Sequence, residues 1–182
     1  MASIAEGVYW CARDLAGVAV VGNHHFILMV SDPGSFAKLP FPPKDESGVY
    51  FCTLAGFKST AGRLTFMFNE ENDVQSVLEK INPETYTSLL TPDLDLEIHK
   101  VTPPHGSEDA FANEVAQLAQ NYSSNTQAGA PAYTLRDANC SAWVNTLFSI
   151  AGVSKTDRER YGEFFGIDWG EEDLIDPKLF SV

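Results

Sequence analysis

The apolar positions of this chain fall into short runs with two different periods. Val8-Tyr9-Trp10-Cys11-Ala12-Arg13 reads as a strand. Gly17–Val21 after it is a short strand or an apolar approach to the next element. His24-His25-Phe26-Ile27-Leu28-Met29-Val30 is apolar, partly β-branched and stopped by Asp32-Pro33-Gly34, which predicts a strand. Val49–Leu54 and Arg63–Phe68 predict two more around the turn Lys58–Gly62, so that these strands make an antiparallel meander. Residues 32–48 form a long loop carrying Pro33, Pro40, Pro42 and Pro43, a lid or a surface insertion.

The period then changes. Val74, Val77, Leu78 and Ile81 share one face of a helix capped by Asp73. Asn82-Pro83 breaks that helix, and Pro83 can open another short one through Leu90. Leu94–Val101 alternates, predicting a strand whose wet face carries Asp95, Glu97 and a solvated His99. Ser107-Glu108-Asp109 opens a helix with Phe111, Val115, Leu118 and Tyr122 as its core stripe, and His105 lies in the loop before it. Residues 123–131 read as a flexible connection. Asn139 is a good N-cap for a helix starting at Cys140, apolar around most of its girth, with Gly152 as its C′ residue. Lys155–Phe165 reads as helical with mixed charge, and Gly166–Pro177 as an ordered coil packed through Trp169 and Ile175. The predicted fold is α+β: an antiparallel sheet against a buried cysteine-bearing helix, in one domain over residues 1–182.

Composition narrows the function classes. A length of 182 residues is ample for one core, and the 44% hydrophobic content is ordinary for a globular chain. No apolar run is long enough to span a membrane. Met1–Glu6 has no basic stretch and carries an acid, so no secretory signal is expected: the protein is cytoplasmic where made, or is exported by a non-classical route. The formal net charge of −13 argues against nucleic acid and anionic membrane surfaces, and suits a cationic partner such as an inhibitor protein. Cys11, Cys52 and Cys140 are few, odd in number and far apart, with no metal-ligand spacing, so neither a disulfide framework, a metal nor a cofactor is expected.

Cys140 carries the candidate chemistry. In the first turn of a helix a thiol meets the positive end of the helix dipole and unpaired N–H groups, and both favour the thiolate. A thiol hydrolase also needs an imidazole within reach, a group to orient it, and N–H donors for the oxyanion, one of which the Cys140 backbone can supply. His24 and His25 open a strand upstream. Neighbours on a strand point to opposite faces, so only one of the two is expected to face Cys140.

The histidine-led strand, followed far downstream by Asn139-Cys140-Ser141-Ala142-Trp143-Val144-Asn145 at a helix start, resembles the circularly permuted NlpC/P60 superfamily of papain-like cysteine hydrolases and acyltransferases. The lecithin retinol acyltransferase-like proteins belong to this group. The resemblance runs from about Gly17 to Gly152 and rests on these two motifs. It implies that Cys140 is the nucleophile and His24 the base, with His25 as its rival by a one-residue slip. The family's third polar residue lies on the strand after the histidine strand; here that strand carries no acid or histidine, and Thr53, or Asn69 on the following strand, is the candidate. The implied activity is hydrolysis of an amide bond through an acyl-thioenzyme, as in relatives that cut peptidoglycan peptides, some of them toxins exported without a signal peptide. The lipid-ester chemistry of the acyltransferase-like relatives is the alternative, with Phe36, Leu39 and Phe41 of the long loop to meet an acyl chain. A degenerate, binding-only domain of the same fold is the third reading.

Overall fold

In the strand Gly7–Asp14 (β1) the residues Val8, Trp10 and Ala12 face one way, and Tyr9, Cys11 and Arg13 the other. The next strand, Asn23–Ser31 (β2), divides in the same manner, with Ile27 and Met29 on the first face and Phe26, Leu28 and Val30 on the second. Both faces are apolar because both are covered, which is why these strands read as continuous apolar runs rather than alternating ones. The computed structural model describes residues 4–14, 23–31, 44–46, 49–81, 96–164 and 173–181. Within them follow β3 (Lys44–Glu46), β4 (Val49–Lys58), β5 (Leu64–Phe68), helix α1 (Glu71–Ile81), β6 (Leu96–Val101), helices α2 (Glu108–Asn125), α3 (Cys140–Ile150) and α4 (Lys155–Tyr161), and a 3-10 turn Pro177–Phe180.

Among the described residues the strands form one antiparallel sheet in the order β3-β4-β2-β1-β6, with β5 also on β4. β3 and β5 share one edge of the long β4, along Val49–Phe51 and Leu54–Lys58 respectively. The fold is therefore α+β, as expected. On one face α1 packs through Val77, Leu78 and Ile81 onto Tyr9, Phe26, Leu28 and Phe51. On the other, α2 and α3 pack onto Trp10, Ile27, Met29 and Leu54. A Cβ added to Gly56 of β4 would lie 2.7 Å from both Cβ and Cγ of Trp143, so the bare glycine lets α3 settle onto the sheet. No helix of the described residues is long and apolar enough to cross a membrane.

Several expected boundaries shift for physical reasons. The cap of α1 is Glu70 rather than Asp73: the Glu70 carbonyl accepts from Val74 N–H, and its carboxylate accepts from the N–H groups of Asn72 (2.9 Å) and Asp73 (3.1 Å). That leaves the Asp73 side chain free for other work. His99 is not solvated: its Nδ1 donates to the Tyr161 carbonyl at 2.7 Å and its ring stacks on Phe164 at 4.5 Å, because α4 covers the face that alternation marks as wet. α2 begins at its Ser107 cap as expected but continues to Asn125, through the first third of the stretch read as a connection. α3 ends as predicted, with Gly152 at φ +85° and Val153 N–H bonded back to the Phe148 carbonyl. Ile175 is buried, as expected of the tail, and its N–H bonds Thr146 Oγ1. The expected elements at Gly17–Val21 and Pro83–Leu90, most of the 32–48 loop, and Trp169 lie outside the described residues.

Candidate active site

The site begins with a loop that cannot drift. Thr134 Oγ1 accepts from the N–H groups of Asp137 and Ala138, Thr134 N–H bonds the Ala138 carbonyl, and Asn139 Nδ2 donates to the Leu135 carbonyl at 2.7 Å. Asn139 has the extended backbone of an N-cap, and its Oδ1 accepts from Ala142 N–H at 2.9 Å. Cys140 is thus fixed as the first residue of an eleven-residue helix with no acid in its first turn. The dipole field at the sulfur is unopposed within the helix.

The sulfur lies where the sheet parts. β2 and β4 pair only from Ile27–Leu54 to Ser31–Tyr50; past that point β2 stays with β1 while β4 stays with β5. At the parted end the backbone N–H of His25 points at Cys140 Sγ, 3.5 Å away. The imidazole of His24 lies close enough to the same sulfur for each to shift the other's pKa. Both histidines therefore meet Cys140, one through its ring and the other through its backbone. The two rings do point to opposite faces, as alternation along a strand requires, and only the His24 ring faces the thiol; His25 meets it through the main chain at the opening between the strands. The His25 ring is committed elsewhere: Trp10 Nε1, which can only donate, bonds its Nδ1 at 3.0 Å, and Phe164 stands edge-on to it.

The His24 ring is oriented by Asp73. His24 Nε2 lies 3.3 Å from each Asp73 carboxylate oxygen, and Phe57 flanks the ring. Asp73 in turn accepts from Arg13 Nε at 2.7 Å, and Arg13 Nη2 reaches Glu70 at 3.2 Å. The side chains of Arg13, His24 and Asp73 are almost wholly buried. Neither Thr53 nor Asn69 reaches His24. Thr53 pairs with Leu28 on β2, four residues from His24 and so about 13 Å along the strand. Asn69, at φ +48°, is tied to that same Thr53: its Oδ1 accepts from Thr53 N–H at 3.0 Å, and its own N–H bonds the Thr53 carbonyl. The pair turns the chain from β5 into α1, which delivers Glu70 and Asp73 to the sheet.

The electrostatics follow from this placement. Burial alone would raise the Cys140 thiol, but the His24 imidazolium and its hydrogen bond, with the His25 N–H, bring it down to about 6. Burial would lower His24, but the Asp73 and Cys140 charges beside it raise it to about 10. Asp73 is buried too, yet His24 and Arg13 hold its carboxyl below the usual range. Each charge favours the other, so the site favours a thiolate beside an imidazolium. Tyr133 completes the surroundings. Burial, and then the Cys140 charge and a hydrogen bond to the sulfur, raise its phenol, while the Cys140 N–H bonds its oxygen. Lys58 Nζ sits 5.9 Å from the Tyr133 ring centroid. Among the described residues no group of three or more His, Cys, Asp or Glu is placed to hold a metal, and all three cysteines are free.

Of the residues singled out in the sequence, the structure brings Cys140, His24 and the His25 backbone together and leaves Thr53 and Asn69 apart from them. Asp73, Arg13, Glu70 and Tyr133 join the cluster unannounced. One signal could have led to the acids: Arg13 ends an apolar strand, and an arginine buried there requires a carboxylate. Comparison with family models, curated proteins and solved structures finds no match to the chain.

Proposed function

We propose that the protein is a cysteine hydrolase that cleaves an amide bond, with Cys140 as nucleophile, His24 as base and acid, and Asp73 as the residue that orients His24. The observation that carries this reading is the continuous line from Asp73 through the His24 ring to the Cys140 sulfur at a helix start. The thiolate attacks the carbonyl carbon and forms the C–S bond, and the carbonyl electrons move to oxygen. Collapse of that oxyanion breaks the C–N bond as His24 gives its proton to the leaving nitrogen. Water, losing a proton to His24, then attacks the thioester; the acid departs and the thiolate returns. The Cys140 N–H is one oxyanion donor, and the Tyr133 hydroxyl beside it is the second. With Nε2 held by Asp73, Nδ1 is the ring nitrogen left to exchange protons with sulfur.

The order of elements, histidine strand before cysteine helix, supports a circularly permuted NlpC/P60 kind of papain-like fold, and with it a peptide of the bacterial cell wall as substrate. A toxin of this kind would be neutralised by a cognate inhibitor protein in the producing cell. The lipid reading would rest on Phe36, Leu39 and Phe41, which lie outside the described residues. A binding-only domain would have no use for a thiol drawn well below its ordinary range. Incubation with purified peptidoglycan should release soluble muropeptides, and Cys140→Ala should abolish the release. Fatty acid freed from phospholipid vesicles instead would favour the lipid reading, and no turnover of either would sink the hydrolase.

A further inference from the structure

Arg13 and Glu70 are the charges next in line behind Asp73. Arg13 and His24 are direct cross-strand partners on β1 and β2, so both side chains rise from the same face toward α1. Asp73 descends between them. It is held tightly by Arg13 at 2.7 Å and more loosely by His24 at 3.3 Å. Glu70 grips Arg13 from behind at 3.2 Å while its carboxylate also caps the helix that carries Asp73. The charges alternate along the line: Glu70, Arg13, Asp73, His24, Cys140. Buried charges at such spacings are screened little by salt or water.

We propose that Arg13 and Glu70 are positioning residues that fix the Asp73 carboxylate and set the pH range over which Cys140 and His24 exist as an ion pair; this rests on reading those two as the reacting pair. The fork of Arg13 decides where the carboxylate sits, and His24 takes the place left beside it. The same arginine shares the carboxylate's charge with His24 and so tempers how firmly the imidazole keeps its proton. Removing the Arg13 charge makes every group in the line bind its proton more tightly. Removing the Glu70 charge does the opposite. The other titratable groups facing the line are unchanged in either case: Cys11 on β1, His25 on β2, Tyr133 before α3 and Lys58 at the end of β4.

The two signs give the test. The pH titration of the Cys140 thiolate, followed by its ultraviolet absorbance against Cys140→Ser, should move up by about one pH unit in Arg13→Met and down in Glu70→Gln, whose amide oxygen can still cap α1. Midpoints that stay put while the melting temperature falls would make both residues merely structural, and shifts of the same sign would equally overturn the proposal. If Arg13→Met does not fold, Glu70→Gln decides alone. The titration needs no substrate, so a failure to find turnover leaves it standing; turnover with unmoved midpoints would refute the positioning role and spare the hydrolase. An ordinary thiol titration in the wild type would undo the reading beneath both.

Discussion

At the scale of single residues, Asp73 marks the limit of what the sequence discloses. An acid just before a helical apolar pattern reads as a cap, and nothing local says otherwise. Only once Glu70 takes the cap is Asp73 free to turn to Arg13 and His24. Asp73→Asn keeps the shape and removes the charge that raises His24. We expect kcat to fall on the order of 10²- to 10³-fold with little change in KM, since orienting the imidazole matters most in the transition state. The wild-type rate should follow a bell. It rises through about pH 6 as Cys140 ionises and falls through about pH 10 as His24 loses its proton. In Asp73→Asn the alkaline limb should move to lower pH, because the carboxylate that favours the imidazolium is gone. Steady-state rates across the pH range check both statements, and an unmoved alkaline limb would remove Asp73 from the site.

At the scale of elements, the cysteine helix was the most legible part of the chain. Its cap at Asn139 and its stop at Gly152 depend on neighbours in sequence, and both lie where the pattern puts them. The strands were legible for the same reason. The choice of third residue was not, because it depends on where β4 leaves β2 and on which helix arrives there. Register fixes both, and register is set by contacts far apart in sequence. The covered face of β6 was misread likewise: α4 shields His99, and no alternation pattern encodes a helix placed more than fifty residues downstream. Gly56 ties element to site. Gly56→Ala would drive a methyl group into the base of Trp143, close to the α3 backbone, so the helix itself must move. We expect a loss of about 1–3 kcal/mol, seen as a melting temperature lower by several degrees. Turnover should fall as well, since Trp143 stands one helical turn from Cys140. Unchanged turnover in a destabilised Gly56→Ala would mean that the seating of α3 does not govern the site.

At the scale of the whole molecule, the ion pair is also a stability device, and its sign can be worked out. Cys140 drops from 9.0 to about 6 on folding, so its contribution is absent below about pH 6 and complete above 9.0. His24 rises from 6.5 to about 10, so its contribution is complete below 6.5 and gone above about 10. Relative to Cys140→Ser, the wild type should therefore gain thermal stability as the pH climbs from about 6 toward 9. Melting curves of the two proteins at several pH values check this, and a difference that is flat with pH would speak against a folded-state thiolate. The net charge of −13 adds self-repulsion to both proteins alike and cancels in the comparison. Whether folding brings His24 to Cys140 and makes a thiolate there is read directly by the ultraviolet titration of the Cys140 thiolate in the wild type and in His24→Ala. We expect a wild-type midpoint near 6 that moves up sharply when His24 is removed; a wild-type midpoint near 9.0, or one indifferent to His24, would contradict a thiolate held by His24.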